Sequence, residues 1–222
     1  MSSLLLLNGS PRGAESNSMK MLSHIVEGWE HVDAGVVVTL HLARPSDFAR
    51  AVDAFAEADT VLIGMPLYAD AMPSLVKAYI EELARYVGSP SNPALAFVVQ
   101  SGFSEALHSR GVERYFEKLA RRLGSRYAGT IIRGGGESLR SMPDEANKKL
   151  WAGLATLGEQ LARGERLDAD VLSRVAGVER FSPTAAAAIG VALKWPLPMF
   201  MWPELRRNGV WSIKGARPYA AT

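Results

Sequence analysis

Hydroxyl, amide and guanidinium groups crowd the stretch NGSPRGAESNS, Asn8 to Ser18, directly behind the leucines of Leu4–Leu7. Ser10, Ser16 and Ser18 offer hydroxyls, Asn17 an amide and Arg12 a positive charge. Gly9 permits a sharp exit from a strand, and Ser16 or Asn17 suits the cap of a following helix. Backbone N–H groups at a helix N-terminus, backed by its dipole, favour an anion. The spacing is neither GxGxxG nor GxxxxGK[ST]. A single terminal phosphate therefore fits better than a dinucleotide pyrophosphate or a nucleoside triphosphate. The same residues also suit an ordinary strand–helix turn with capping serines, and by themselves they leave both readings open.

Two further stretches could act with this one. Gly64–Pro73 reads GMPLYADAMP. Its prolines stiffen the loop and remove two backbone donors, so a rigid segment carrying free N–H groups and Tyr68 could hold a flat heterocycle. Pro73 suits the first turn of a helix, with Lys77 one turn further in. Gln100–Glu105 reads QSGFSE. There Gly102 lets the backbone approach a ligand closely, Ser101 can meet polar ring edges, and Phe103 adds an aromatic face.

Other chemistries lack their residues. The chain has no cysteine, which excludes disulfides, thiolate metal ligands, cysteine-ligated iron–sulfur clusters and a catalytic thiol. None of the four histidines has metal-ligand spacing to another, and neither HxH nor HExxH occurs. His24 and His31 read as surface helix residues, His41 as a strand-end residue, and His108 as lying on the exposed side of a helix. No metal and no catalytic triad are expected.

The elements that must position these loops are legible as alternating runs. Leu4–Leu7, Val36–Leu42, Val61–Met65, Leu95–Gln100 and Gly129–Ile132 read as strands, mostly dense in Leu, Val and Ile without alternation, as strands covered on both faces should be. Between them Asn17–Trp29, Asp47–Ala58, Ser74–Val87 and Glu105–Leu123 carry apolar residues at helical spacing, such as Ile80, Leu83, Ala84 and Val87. Further helices are expected over Asp144–Arg163, stopped by Gly164, and near Ala169–Val175. Repeated strand–helix units predict an α/β fold, a doubly wound five-stranded parallel sheet with helices on both faces. Ligands of such sheets gather beyond the carboxyl ends of the strands, where all three loops fall. Gly134–Gly136 follow the fifth strand, and the plain expectation is a flexible loop, with close backbone approach to a cofactor or a partner subunit as the alternative.

GSPR and SNS within Gly9–Ser18, AEADTVLIGMPLYADAMPSLVKAYIEEL at Ala56–Leu83, and QSGFSEA at Gln100–Ala106 together resemble the flavodoxin-like NAD(P)H-dependent FMN reductases and quinone reductases. The resemblance runs from the N-terminus through the fifth expected strand. Its most specific part is the middle stretch: an acidic residue before the strand, a Pro-Leu-Tyr turn, then Met-Pro and a lysine. It implies FMN as cofactor and NADPH or NADH as co-substrate. It implies that Ser10, Asn17 and Ser18 hold the FMN phosphate with Ser16 nearby, that Arg12 sits at the rim, and that Pro66, Leu67 and Tyr68 line the isoalloxazine. Ser101, Gly102 and Phe103 would contact its pyrimidine side. The first loop is slightly longer between Arg12 and Asn17 than the family's commoner spacing, which leaves open which of Ser16, Asn17 and Ser18 makes each contact. Hydride would pass from a nicotinamide to flavin, and then to a quinone, an azo or nitro compound, or free flavin. Tyr68 could gate the flavin face. The competing reading is a flavodoxin-like electron carrier, although such carriers are usually strongly acidic and this chain carries a net charge of +2.

That charge does not predict bulk attraction to nucleic acid or membrane. The N-terminus carries no basic segment before its short apolar run, so a cytoplasmic location is the expectation. Residues 1–180 are read as a flavodoxin-like FMN-binding domain and 181–222 as a C-terminal extension. Thr184–Pro203, TAAAAIGVALKWPLPMFMWP, is apolar but broken by Lys194, Pro196 and Pro198, and a membrane-spanning helix needs about 20 mostly apolar residues. A short helix at Ala185–Lys194 is expected, then an aromatic segment with Trp195, Phe200, Trp202 and Trp211. This tail could pack on the domain, embrace a second subunit of a homodimer or higher homo-oligomer, or rest on a membrane surface. The acceptor, the choice between NADH and NADPH, and the oligomeric state are not legible.

Overall fold

The structure, a computed structural model, describes residues 2–32, 35–194, 205–207 and 209. Five strands, β1 (Leu4–Asn8), β2 (Val37–His41), β3 (Thr60–Pro66), β4 (Ala94–Gln100) and β5 (Tyr127–Arg133), form one parallel sheet in the order β2-β1-β3-β4-β5. This is the doubly wound topology the alternating runs predict, with β1 between β2 and β3. Its leucines divide by the pleat of the strand: Leu5 and Leu7 enter one core layer, Leu4 and Leu6 the other. That is why β1 reads as an unbroken apolar run, since both faces are covered.

Helices α1 (Asn17–Val32), α2 (Pro45–Asp53), α3 (Ser74–Glu82), α4 (Arg110–Leu123), the short α5 (Ser138–Ser141), α6 (Lys148–Ala162) and α7 (Ala169–Ala176) complete the first unit, Met1–Arg180. The layer containing Leu5 and Leu7 also holds Val52 of α2, Tyr79 of α3 and Phe116 of α4. The opposite layer holds Ile25 and Trp29 of α1, Leu154 of α6 and Val175 of α7. Gly164, at φ 68°, stops α6 by supplying the left-handed residue that side chains resist.

Four expected helices are shorter than their apolar stripes. Asp47–Ala58 and Ser74–Val87 each end in a tighter turn, Ala54–Glu57 and Leu83–Tyr86. Glu105–Leu123 begins with a similar turn, Ala106–Ser109, before α4, and Asp144–Arg163 with the turn Asp144–Asn147 before α6. A tight turn keeps apolar residues near helical spacing, so the sequence pattern cannot separate the two.

The second unit, Phe181–Thr222, contains α8 (Pro183–Lys194), the helix expected from Ala185. Ser182 caps it, its hydroxyl accepting from Ala185 N at 3.2 Å. Trp195, Phe200, Trp202 and Trp211 lie outside the described residues. Among the described residues, no helix is long and apolar enough to cross a membrane.

Helices α1 and α6 touch backbone to backbone. A Cβ at Gly28 would sit 1.9 Å from Ala155 O, and one at Gly158 2.0 Å from Ile25 O. Gly158→Ala would gain about 1 kcal/mol of helix propensity, but forcing two backbones apart costs about 1–3 kcal/mol. The clash should prevail, lowering the urea midpoint. Gly111→Ala in α4, where an added Cβ meets nothing within 4 Å, should raise it; urea melts of both variants check the opposite signs.

Candidate functional site

All three sequence-selected loops leave the carboxyl edge of the sheet. The register aligns Asn8 with His41 on one side and Gly64 on the other, and Pro66 with Gln100. The side chain of Asn8, fully buried, organises the first loop. Its Oδ1 accepts from Ser10 N at 3.0 Å. Its Nδ2 donates to Gly13 O at 2.7 Å and lies 3.2 Å from His41 Nδ1. Because Oδ1 is the acceptor toward Ser10, Nδ2 must be the donor, and His41 Nδ1 is therefore the unprotonated acceptor of a neutral ring. Burial, followed by the positive charge of Arg44, lowers the His41 pKa, with Asp47 opposing.

Ser16 caps α1, its Oγ accepting from Met19 N at 3.1 Å. The next two residues are different. Asn17 and Ser18 are buried in the first turn of α1, yet both amide atoms of Asn17 and the hydroxyl of Ser18 have no partner. Leaving a buried polar group unpaired costs about 1–3 kcal/mol, and such groups are rare. Two of them at one helix N-terminus, Asn17 Nδ2 and Ser18 Oγ, are donors of the sort that an anion satisfies.

The second loop is locked by strain as well as by proline. Tyr68 N donates to Ala71 O at 2.9 Å and Ala71 N to Tyr68 O at 3.0 Å. This tight pair holds Ala69 and Asp70 at φ 46° and 63°. Asp tolerates the left-handed region, whereas for Ala it is uncommon. Residues held there cost about 1–3 kcal/mol each and cluster at functional sites.

The third loop is braced by the glycines after β5. Gly136 N donates to Ser101 O and Gly135 N to Phe103 O, both at 2.7 Å. A Cβ at Gly134 would lie 2.5 Å from Ser104 O, and one at Gly136 2.2 Å from Gln100 Oε1. The expected flexible loop is therefore a packed support, and the close approach is to the third loop. His108 belongs to the turn before α4 rather than to a helix face, and its ring stacks on Phe103 with centroids 4.4 Å apart. His24, expected at the surface, stacks on Trp151 of α6 at 4.4 Å.

One cleft collects these loops. Ser10, Arg12, Ser16, Asn17, Pro66, Leu67, Tyr68, Ser101 and Gly102 line it, together with Gln100 and Glu137. Ser18 lies buried beneath, and Phe103 stands outside, half exposed. Arg12 at the rim meets Glu137 at 3.4 Å. The sequence reading gave no site role to Asn8, His41, Gln100 or Glu137. Asn8 and His41 carried a faint signal, polar residues closing two adjacent apolar runs; Glu137 carried none, because only the sheet brings it to Arg12. The cleft encloses about 60 Å³, whereas whole small-molecule pockets span about 300–1,000 Å³. It is the size of a phosphate group, and a fused ring would have to extend past it toward Tyr68 and Phe103.

A profile of the family described as flavodoxin-like fold matches residues 2–161. The chain belongs to the flavodoxin-like fold family. Among solved structures it resembles an FMN-dependent NADH-azoreductase from Bacillus anthracis in complex with FMN (TM-score 0.55, 17% identity, 73% of this chain and 100% of that one). It also resembles an NAD(P)H:quinone oxidoreductase from Methanothermobacter marburgensis (0.57, 15%, 72% and 96%). A third likeness is to an NADH:FMN oxidoreductase in its apo form (0.57, 14%, 83% and 98%). At these identities the likeness establishes the fold. A search of curated proteins returns no match.

The neutral ring of His41 predicts acid sensitivity. Its folded pKa lies below the ordinary value of about 6.5, so the unfolded chain binds this proton first. The stability it contributes is complete above about 6.5 and declines as pH falls from there toward the folded value. Urea midpoints measured from pH 7.5 down to 5.5 should fall, and His41→Asn should flatten that segment.

Proposed function

We propose that this protein is an FMN-dependent NAD(P)H oxidoreductase. It passes hydride from a nicotinamide to flavin, then to a quinone, an azo or nitro compound, or free flavin. The observation that carries the reading is the set of unpartnered buried groups on Asn17 and Ser18 at the N-terminus of α1, at the carboxyl edge of a flavodoxin-like sheet. These residues fit a terminal phosphate, with Ser10 and the capping Ser16 beside them. Pro66, Leu67 and Tyr68 would hold the ring through the rigid second loop, and Ser101, Gly102 and Phe103 its polar edge. Bound flavin supplies the hydride chemistry, and the protein supplies binding and orientation. Arg12, exposed and paired with Glu137, would meet the phosphate or a nicotinamide nucleotide at the rim. Tyr68, half exposed, would gate the mouth. Residues 1–180 would then be the cofactor domain and 181–222 an extension packing on it or on a partner subunit.

A flavodoxin-like electron carrier is the second reading. The net charge of +2 disfavours it, because carriers generally dock through strongly acidic surfaces.

The purified protein, incubated with FMN and desalted, should retain flavin, and anaerobic NADPH or NADH should bleach its visible band. Retained flavin that neither nucleotide bleaches would move the carrier reading ahead, and no retained flavin would remove both. Asn17→Ala and Ser18→Ala should each weaken FMN binding by about 10- to 100-fold, as expected for losing a hydrogen bond to a charged group worth about 1.5–3 kcal/mol.

Tyr68, Phe103, Leu107 and Tyr115 expose apolar surface on the second and third loops and the start of α4. Patches of this kind mark interaction sites, and this one suits a second subunit. Sedimentation equilibrium should give a dimer or larger assembly, which Leu107→Glu with Tyr115→Glu would dissociate; a monomeric wild type would sink this assignment.

A further inference from the structure

A second cavity, of about 690 Å³, opens between the start of α6 and the helix α7, with the end of β5 beneath it. It shares no lining residue with the cleft described above. Its size falls within the range of small-molecule sites. Its walls divide by chemistry. Leu150 and Val171, with neighbouring alanines and Val175, give an apolar surface, while Arg133, Lys149 and Arg174 bring positive charge, and no acid lines it.

Two of its residues hold donors that the chain leaves unmade. Asn147, 6% exposed at the start of α6, has no partner for Nδ2. Arg133, the last residue of β5, donates from Nη1 to Val175 O at 3.1 Å, but its buried Nε has no partner. Burial lowers its pKa, with no carboxylate acting against that effect. Lys149 and Arg174 are exposed and make no ion pair among the described residues. A half-buried guanidinium without an acid and an amide without an acceptor are individually costly. Their occurrence in one apolar-walled groove has a common remedy, an anionic group from outside the chain.

We propose that this groove binds a small organic anion. Arg133 and Asn147 face its carboxylate or phosphate head, Lys149 and Arg174 flank the head from the rim, and the apolar body rests on Leu150 and Val171. Planar guanidinium and amide groups are suited to such a head. The apolar walls set the class apart from inorganic ions.

The test is isothermal titration of the full chain with hexanoate, hexyl phosphate, inorganic phosphate and the neutral control hexanol, with and without saturating FMN. Saturable binding is expected for hexanoate or hexyl phosphate, with the tighter of the two naming the head group. Inorganic phosphate and hexanol should bind at least about tenfold more weakly. Binding should persist with FMN present, which separates this groove from the cleft whatever the fate of the flavin reading. The exposed pair Lys149→Glu and Arg174→Glu should weaken binding by about tenfold or more, with an unchanged melting temperature. Asn147→Ala should weaken it too. No saturable heat with either anion, equal binding of hexanol, competition by FMN, or unchanged affinity in the charge-reversed pair would each overturn the proposal.

Discussion

The amide of Asn8 is the contact on which the functional end of the molecule depends. It closes β1 and gathers the first loop, through Ser10 N and Gly13 O, onto the edge of the sheet. It also ties that loop to β2 through a neutral His41. Buried and out of competition with water, such bonds are stronger than at the surface. With the loop so held, α1 starts at a defined point, Ser16 is free to cap it, and Asn17 and Ser18 are left with polar groups the protein does not satisfy. The unsatisfied groups are thus a consequence of how firmly their neighbours are satisfied.

The other two loops are made rigid by different means. The second carries backbone strain at Ala69 and Asp70, sustained by the Tyr68–Ala71 pair and by the prolines on either side. The third is backed by Gly134–Gly136, whose lack of side chains allows the chain after β5 to lie directly against it. Preorganised loops of this kind orient a ligand without reorganising when it arrives. They leave a throat of phosphate size with Tyr68 and Phe103 beside it. The larger groove between α6 and α7 is a separate place with a different chemistry, cationic and apolar rather than hydroxyl-rich.

Much of this was legible before the fold was known. The leucines of β1 show no alternation because both faces of a parallel strand are buried, and the same logic identifies all five strands and their order of helices. The three loops stand out because glycine, proline and hydroxyl residues follow those strands directly. The turns at Ala54–Glu57, Leu83–Tyr86 and Ala106–Ser109 did not stand out, since local apolar spacing is nearly the same in a tight turn and a helix. His24 looked like a surface residue because nothing local announces Trp151.

What the sequence alone determined was everything set by periodicity and by local backbone preference: the α/β class, most strand and helix identities, and which loops reach the carboxyl edge of the sheet. What only the tertiary structure decided was which groups meet across long stretches of chain. Asn8 finds His41 through strand register, Arg12 finds Glu137 across the carboxyl edge, and Arg133 shares a groove with Asn147 only because α6 and α7 close over the sheet's edge. The physical reason is that hydrogen bonds and ion pairs act over a few ångströms in space, and no local pattern in the chain encodes a distance that the packed sheet alone establishes.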